Sequence, residues 1–313
     1  MTRKVILDCD PGIDDAIAIA MALFDPRLEV LAITATAGTV DAEQATHNAS
    51  ALVSLLDPPR YPRIGAAQPI DDAPVTHDAD LHGDDGLGGL NLPASPRQHT
   101  RPSEKVISDL LQQHPNEITL VCLGPLTNLA NLCRFEPTSL ECIDRILISG
   151  GAVTAPGNAS SVAERNMYFD PPSADLVLRS AITKQMLPLD VTEEVAFGVD
   201  VLEKLPDRHG RIGSMLHKLL SFAFRTTRVK LGRELMPLYD PTVLVALTEP
   251  ELFTWSSVPC RVETKGELTR GMTVVDRRLR AQWQENMEVA MGVDVEGVQD
   301  AIERLLQFSA QQS

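Results

Sequence analysis

Short apolar runs alternate with helical patterns along most of the chain, and this rhythm limits the folds open to it. The runs Val5–Leu7, Ile118–Leu123 and Ile146–Ile148 are almost continuously apolar. A strand that is covered on both faces has this composition, whereas a strand with one face in water alternates apolar and polar residues. The sequence therefore predicts an α/β fold with a mostly parallel, Rossmann-like open sheet covered by helices.

The boundaries of the predicted elements follow from periodicity and from turn residues. The predicted strands are Lys4–Asp10, Leu28–Ala37, Arg63–Ala66, Ile118–Leu123, Arg145–Ser149 and Gln185–Leu189. The predicted helices are Asp14–Phe24, Ala42–Leu56, Ser103–His114, Leu126–Phe135 and Ser173–Ser180. Between the third strand and the third helix, Gln68–Pro102 is rich in Gly, Asp and Pro and predicts irregular structure.

The last third of the chain has a different pattern. A longer helical region spans roughly Arg208–Lys230, and a terminal helix lies near Val295–Leu306. Between them, Pro259–Thr264 and Met272–Arg277 predict a small antiparallel pair around Lys265-Gly266-Glu267. The sequence contains neither a linker nor a repeat, so we expect one domain over residues 1–313.

Composition narrows the class of protein. The net charge of −15 argues against a nucleic-acid partner, since affinity for phosphates is built from clustered Lys and Arg. The five cysteines form an odd set without a C-x-x-C pair, which favours free thiols in a reducing compartment. The N-terminus lacks the apolar segment of a signal peptide, and no apolar run is long enough for a membrane helix. We therefore expect a soluble, cytoplasmic protein.

Four carboxylates lie close together at the N-terminus, at Asp8, Asp10, Asp14 and Asp15. They span a strand end, a Pro-Gly turn and the first turn of a helix, which is the edge of a parallel sheet where ligands bind. One such acid would serve as a favourable charge at the helix N-terminus. Four together repel one another unless a cation or protons intervene, so the spacing favours a bound hard divalent ion.

This turn, Asp8-Cys9-Asp10-Pro11-Gly12-Ile13-Asp14-Asp15, closely resembles the D-x-D-P-G-x-D-D signature of the inosine-uridine preferring nucleoside hydrolases. Members of that family split the N-glycosidic bond of ribonucleosides. The resemblance continues in family order through His82-Gly83-Asp84-Asp85-Gly86-Leu87-Gly88, Gly124-Pro125-Leu126-Thr127-Asn128, Gly150-Gly151-Ala152, Gly157-Asn158, Ala163-Glu164-Arg165-Asn166 and Asp240-Pro241. It covers nearly the whole chain.

The resemblance implies a calcium ion (Ca²⁺) and a set of site residues. The ion would be held by Asp10, a bidentate Asp15, Asp240 and the backbone carbonyl of Leu123. Calcium takes about six to eight oxygen ligands, which leaves room for a water molecule and two vicinal ribose hydroxyls. Asp10 would accept the proton of that water, and the family are commonly homodimers or homotetramers.

The resemblance also implies which residues grip the ribose. Asp14 would face the 2′-hydroxyl, Asn166 the 3′ side, and Glu164 with Asn158 the 5′-hydroxyl. His82 is a candidate for assisting the departing base, because an imidazole that titrates near neutrality suits this role. A lone His in a Gly- and Asp-rich loop is equally often just solvated.

Four positions differ from the family pattern. Tyr239 replaces a His, Thr39 an Asn, Arg165 an aromatic residue and Ser149 a Met. A phenol, with a pKa of about 10, is a weaker acid than imidazolium, although it can stack on a base or donate a hydrogen bond. Arg165 either places a cation near the 5′ side of the ribose, which suits an anionic ribosyl compound, or pairs with an acid elsewhere.

Two other functions remain open from the sequence. Asp8-Cys9-Asp10 also resembles the D-x-D opening of haloacid-dehalogenase-like phosphatases, although Gly12 stands where that motif has Thr or Val. The other alternative is a calcium-bound, ribosyl-binding protein that has lost turnover through the four differences. The predicted function is calcium-dependent hydrolysis of ribonucleosides to ribose and free base.

Overall fold

The structure, a computed structural model, describes residues 2–70, 74, 79–95, 101–205 and 210–312. The strands in these ranges are β1 (Arg3–Cys9), β2 (Leu28–Ala35), β3 (Arg63–Gly65), β4 (Ile118–Cys122), β5 (Ile143–Ser149), β6 (Lys184–Leu187), β7 (Ala196–Phe197), β8 (Met236–Pro237), β9 (Phe253–Val258), β10 (Cys260–Val262), β11 (Thr273–Val275) and β12 (Met287–Val293). The α-helices are α1 (Ile13–Phe24), α2 (Ala42–Leu56), α3 (Ala79–His82), α4 (Ser103–Gln113), α5 (Thr127–Phe135), α6 (Arg165–Phe169), α7 (Pro171–Leu178), α8 (Leu189–Thr192), α9 (Val201–Lys204), α10 (Arg211–Thr226), α11 (Tyr239–Thr248) and α12 (Val295–Ala310).

Eight of the strands form one sheet in the order β3-β2-β1-β4-β5-β6-β12-β9. All neighbours in it are parallel except β12 and β9, which pair antiparallel at one edge. The predicted fold class is thus confirmed, and so is the small antiparallel pair, where β10 lies against β11. From β1 the chain adds β2 and β3 on one side of the sheet, and it then adds β4, β5 and β6 on the other side. A ligand is expected where the direction changes, beyond the carboxyl end of β1.

Apolar side chains cover both faces of this sheet. Along β1, Val5 and Leu7 belong to the core on one face and Ile6 to the core on the other. This alternation explains why the strand is apolar without a break, because neither face meets water. Cys9, Cys122 and Cys260 are buried, and all five cysteines are free thiols, as the odd count predicted.

Among the longer elements the sequence missed α11, β9 and β12, and it also missed the short elements α6, α8, α9, β7 and β8. Helix α11 is buried along nearly its whole length, from Asp240 to Leu247, so it carries no polar stripe that would reveal a helical period. Predicted helix Arg208–Lys230 begins in the structure at Arg211, residues 206–209 lying outside the described ranges, and it ends in a π-helical turn over Thr227–Leu231. The stretch Gln68–Pro102, expected to be irregular, contains the short helix α3.

No helix in the described ranges is both long enough and apolar enough to cross a membrane.

Candidate active site

A cavity of about 710 Å³ opens at the carboxyl ends of the central strands. The residues that the family resemblance and its four differences pointed to line it, namely Asp10, Asp14, Asp15, Thr39, His82, Leu123, Asn158, Glu164, Arg165, Asn166, Tyr239 and Asp240. Ser149, the fourth position that differs from the family pattern, lines it too. Residues separated by more than two hundred positions meet here because parallel strands end at the same edge of the sheet.

Asp10, directly after β1, is fixed by its neighbours on two sides. Its Oδ2 accepts hydrogen bonds from the backbone N–H and the hydroxyl of Thr39, at 2.6 and 3.0 Å. A Cβ atom on Gly38 would stand 2.1 Å from Oδ2, and one on Gly124 would stand 2.6 Å from Oδ1. Both glycines are required because their missing side chains leave the space that the carboxylate fills.

Asp15 and Asp240 face the same part of the cavity. Oδ2 of Asp15 accepts a hydrogen bond of 3.0 Å from the backbone N–H of Gly12 at the start of α1. Its Oδ1 is buried without a hydrogen-bond partner among the described residues. Oδ1 of Asp240 accepts a hydrogen bond of 3.0 Å from the hydroxyl of Ser149. Ser149, which the sequence could not assign, thus orients a carboxylate of the site.

Burial disfavours the state in which all four carboxyl groups of this cavity are ionised, namely those of Asp10, Asp14, Asp15 and Asp240. Burial raises the pKa of Asp14 to about 7 and that of Asp15 to about 6. Burial and repulsion from Asp15 hold the pKa values of Asp10 and Asp240 well above their usual range. Arg165 opposes these shifts for Asp10, Asp14 and Asp15 through its positive charge. The acids therefore need protons or a further cation.

The donor set fits a hard cation, because carboxylate and carbonyl oxygens are the ligands that calcium prefers. Among the acids that line the cavity, Asp15 has a buried Oδ1 without a hydrogen-bond partner in the described residues, and such an ion would satisfy it. Within the described ranges, however, no three His, Cys, Asp or Glu side chains are arranged so that they could hold a metal ion by themselves. The carbonyl oxygen of Leu123, which also lines the cavity, is of the ligand type that calcium prefers.

Asn166 holds the Leu123 carbonyl in place. Its amide Nδ2 donates hydrogen bonds to the carbonyl oxygens of Leu123, at 2.7 Å, and Ser149, at 3.1 Å. Leu123 directly follows β4, and Ser149 is the last residue of β5. The two strands are parallel neighbours in the sheet. Asn166 therefore bridges the strand ends that form the floor of the cavity.

Glu164 is held by the backbone of two segments. Its carboxylate caps α6 by accepting from the backbone N–H groups of Asn166 and Met167, at 2.9 and 3.1 Å. It also accepts from the backbone N–H of Gly151 at 3.0 Å. Burial nevertheless raises the pKa of Glu164. Asn158 acts similarly, since its Oδ1 accepts from the backbone N–H of Arg165 at 2.9 Å.

Tyr239 connects the acidic floor to the rest of the cavity. Its backbone N–H donates to Oδ2 of Asp14 at 2.7 Å, and its hydroxyl donates to Oε1 of Glu193 at 2.6 Å. Arg233 pairs with Oε2 of the same Glu193 at 2.5 Å. The sequence predicted neither Glu193 nor Arg233. One signal in the sequence could have indicated Glu193, because this residue comes shortly after the strand that ends at Leu187.

The pKa of His82 is not near neutrality, as its proposed role in the sequence had required. Its Nδ1 lies 3.2 Å from the backbone N–H of Ile13 and accepts a hydrogen bond from it. Burial, with a smaller contribution from Arg165, lowers the pKa of His82 to about 3. The ring is therefore neutral near pH 7 with its proton on Nε2, so it can donate a hydrogen bond but is not an imidazolium acid.

Asp8 and Asp190 serve the architecture around the cavity and do not line it. Asp8 accepts hydrogen bonds from Thr34 and Asn128, at 2.6 and 2.8 Å, and burial raises its pKa to about 7. Asp190 accepts from the backbone N–H groups of residues 153, 154 and 155 and thereby shapes the loop after β5.

Comparison with known proteins adds independent observations. The sequence model of the inosine-uridine preferring nucleoside hydrolase family matches residues 5–300. The non-specific ribonucleoside hydrolase RihC of Salmonella enteritidis is 38% identical over 306 residues, which cover 97% of this chain and 98% of that protein. RihC of Salmonella typhi is 40% identical over 294 residues, 94% of each chain.

Solved structures agree with these sequence matches. A purine-preferring ribonucleoside hydrolase from Gardnerella vaginalis superposes with a TM-score of 0.92 at 30% identity, over 99% of this chain and all of that one. A plant nucleoside hydrolase superposes with a TM-score of 0.90 at 30% identity, over 98% and 99% of the two chains.

Proposed function

Because the chain belongs to the inosine-uridine preferring nucleoside hydrolase family, an N-glycosyl hydrolase family, we propose that it cleaves ribonucleosides with a bound calcium ion and a water that Asp10 deprotonates. The observation that carries the proposal is the group of buried carboxylates at one end of the cavity, with Oδ1 of Asp15 unpartnered among the described residues. The enzymatic names of the relatives favour this function over a phosphatase and over a binding protein without turnover.

Asp10, Asp15, Asp240 and the carbonyl of Leu123 are the residues that would hold the ion. The family is metal-dependent, and the oxygen donors of these residues suit calcium. When bound, the ion would supply a positive charge that lowers the pKa of a water molecule and attracts two vicinal ribose hydroxyls. The preference for ribose over a sugar without the 2′-hydroxyl would follow from this pair of contacts.

Asp10 and Asp14 are held in a way that suits their proposed roles. Thr39 occupies Oδ2 of Asp10 with two hydrogen bonds, so Oδ1 is the atom that can accept the proton of the water. The N–H groups of Tyr239 and Asp240 occupy Oδ2 of Asp14, at 2.7 and 3.2 Å. Its other oxygen would then accept from the 2′-hydroxyl, a contact that tightens as the sugar gains positive charge.

The segment from Asn158 to Asn166 would grip the rest of the ribose. We assign Asn166 to the 3′-hydroxyl, and Glu164 with Asn158 to the 5′-hydroxyl. Thr39 and Arg165, which also line the cavity, complete the substrate-binding set. Arg165 brings a positive charge into the cavity, as its effect on Asp10, Asp14 and Asp15 indicates. Because this charge would also attract a phosphate group, a 5′-phosphorylated ribosyl compound should be tested as a substrate.

We expect the leaving base to be stabilised by hydrogen bonds more than by full protonation of the base. The Tyr239 hydroxyl donates to Glu193, and burial followed by the charge of Glu193 raises its pKa well above the usual range. His82 is neutral near pH 7 and offers its Nε2 proton as a hydrogen bond. His82 would thus support the leaving base with a hydrogen bond, whereas Tyr239, whose single O–H is donated to Glu193, would only stack on the base.

We further propose that residues 1–313 form one catalytic domain that works in the cytoplasm as a homodimer or homotetramer. Strands from both ends of the chain lie in the same sheet, which supports one domain. The free thiols support a reducing compartment. Sedimentation of the purified protein would determine the assembly.

The direct test is a turnover screen over the common ribonucleosides, with and without a calcium chelator, together with a ribonucleoside 5′-phosphate. We expect release of free base that stops in chelator and returns when calcium is added. Full activity in chelator would contradict the calcium mechanism, and absence of base release from every substrate would contradict the proposed function.

A further inference from the structure

Ser149, the last residue of β5, is buried beside the cavity and is hydrogen-bonded through both its side chain and its backbone. Its hydroxyl donates a hydrogen bond of 3.0 Å to Oδ1 of Asp240. Its carbonyl accepts one of 3.1 Å from Nδ2 of Asn166, and the same Nδ2 donates at 2.7 Å to the carbonyl of Leu123. Ser149 and Asn166 together thus connect Asp240 with Leu123, and we call this connection the Ser149 bridge.

The Ser149 bridge joins two of the groups that would hold calcium under the proposed function. Asp240 lies in the first turn of α11, and Leu123 directly follows β4. Helix α11 packs against β5, and β5 pairs with β4 in the sheet. The end of β5, where Ser149 stands, therefore lies between a carboxylate and a carbonyl that come from elements far apart in the sequence.

The carboxylate of Asp240 differs from those of Asp10 and Asp15 in the group that holds it. Oδ2 of Asp10 accepts from the backbone N–H and the hydroxyl of Thr39, and Oδ2 of Asp15 accepts from the backbone N–H of Gly12. The hydrogen bond to Asp240 comes from the serine hydroxyl. A substitution can remove this hydroxyl and leave the backbone contacts of the other two acids in place.

We propose that Ser149 is a positioning residue for the calcium ion, which fixes Asp240 relative to the Leu123 carbonyl and thereby raises the affinity of the protein for calcium. The inference rests on the proposed function and adds to it a residue at a position where the family pattern has Met. A Met side chain has no hydrogen-bond donor and could not form the contact with Asp240. The bridge is thus a feature of this chain that the family pattern does not contain.

The gain in calcium affinity comes from preorganisation. A carboxylate that can rotate loses this freedom when it binds an ion, and the lost entropy weakens binding. The hydroxyl of Ser149 restricts Asp240 before the ion arrives, and the amide of Asn166 restricts the Leu123 carbonyl in the same way. Groups that orient metal ligands typically change metal affinity by about 10–100-fold when they are removed.

The test is calorimetric titration of calcium into the full-length protein after treatment with chelator, without nucleoside. Ser149→Ala should bind calcium about 10–100-fold more weakly than the wild type. Its unfolding midpoint in chelator should fall by only a few degrees, because the variant loses one hydrogen bond. Calcium affinity equal to that of the wild type would overturn the proposal.

Ser309→Ala is the matched control, because Ser309 is also buried and does not line the cavity. Its hydroxyl donates to the backbone carbonyls of Ala20 and Leu305, at 3.2 and 2.8 Å. This variant should lose similar stability in chelator and should keep the calcium affinity of the wild type. An equal loss of calcium affinity in the two variants would indicate general loosening of the fold and would also overturn the proposal.

A double-mutant cycle with Asn166→Ala tests whether Ser149 and Asn166 form one bridge. Asn166→Ala releases the Leu123 carbonyl and should weaken calcium binding by itself. Either substitution alone breaks the connection between Asp240 and Leu123, so the loss in the double variant should be smaller than the sum of the single losses. Additive losses would show that the two residues hold their ligands independently, against the proposal.

The behaviour of the wild type separates this inference from the proposed function. If the wild type binds calcium and hydrolyses ribonucleosides while Ser149→Ala binds calcium equally tightly, the inference alone fails. If the wild type binds no calcium and releases base equally fast in chelator, the calcium mechanism fails and the inference fails with it.

Discussion

The carboxylate of Asp14 accepts a hydrogen bond of 2.7 Å from the backbone N–H of Tyr239, which lies 225 positions further along the chain. A second bond of 3.2 Å comes from the N–H of Asp240. Asp14, at the start of α1, thus caps the N-terminus of α11 and satisfies two N–H groups that the helix itself leaves unpaired. The same contact sets the position of Asp240 relative to the first acidic turn.

Asp14→Asn should separate the charge of Asp14 from its capping role. An amide oxygen can still accept from the N–H of Tyr239, so the thermal unfolding midpoint should stay close to that of the wild type. We expect kcat/KM for ribonucleosides to fall by about 10²–10³-fold, as for a lost transition-state hydrogen bond. Asp14→Ala should in addition lose about 1–2 kcal/mol of stability with the cap. Wild-type kcat/KM in Asp14→Asn would refute the assigned role.

Calcium should stabilise the protein through Asp15. The buried Oδ1 of Asp15 lacks a described partner, so an ion that binds only the folded state should raise the unfolding midpoint by a few degrees relative to chelator. Asp15→Asn should remove most of that increase, whereas the exposed Glu194→Gln should keep it. Equal midpoints of the wild type with calcium and with chelator would argue against the site.

Gly38→Ala should disable the site by displacing Asp10. The added Cβ would lie 2.1 Å from Oδ2 of Asp10, a distance at which the carboxylate must move. We expect kcat/KM to fall by roughly 100-fold or more, since misplacement by about 1 Å has this effect. Gly292→Ala is the control, because its nearest neighbours would lie at 3.6 Å, an ordinary contact. Similar activity in both variants would contradict the tight packing of Asp10.

His82 should make the folded protein sensitive to mild acid. Its pKa is lowered from 6.5 to about 3, so between these values the unfolded chain binds the proton more strongly. Stability should therefore fall as pH drops through this window, by about 1–2 kcal/mol at pH 5, and His82 should contribute no such effect above pH 7. Urea unfolding of wild type and His82→Gln at pH 7.5 and 5 measures the difference. An NMR titration with a midpoint near 6.5 for His82 would disprove the prediction.

Tyr239 should contribute little as an acid. Because its hydroxyl donates to Glu193 and its pKa is raised, an aryl riboside that needs little help in leaving should be cleaved faster than inosine. Tyr239→Phe should change the ratio of the two kcat values by less than about tenfold, well below the usual effect of a general acid. Turnover of inosine equal to or better than that of the aryl riboside would show that protonation comes from another group.

The sequence by itself determined the strands β1 to β6 of the sheet and the acidic turn. Near-continuous apolar runs mean strands covered on both faces, and four acids within eight residues mark a local feature that spacing alone reveals. Because parallel strands end at one edge, the residues after Cys9, Cys122 and Ser149 could be expected to meet. The sequence did not predict helix α11, because a helix that is buried on all sides has no amphipathic period.

The tertiary structure decided what those residues do to one another. The contacts of Glu193 with Arg233 and Tyr239, and of Ser149 with Asp240, join segments far apart in sequence, and packing alone sets their distances. The pKa of His82 likewise depends on burial and on Arg165, which no local pattern contains. Hydrogen bonds and desolvation depend on distance and surroundings in space, whereas the sequence records only order along the chain.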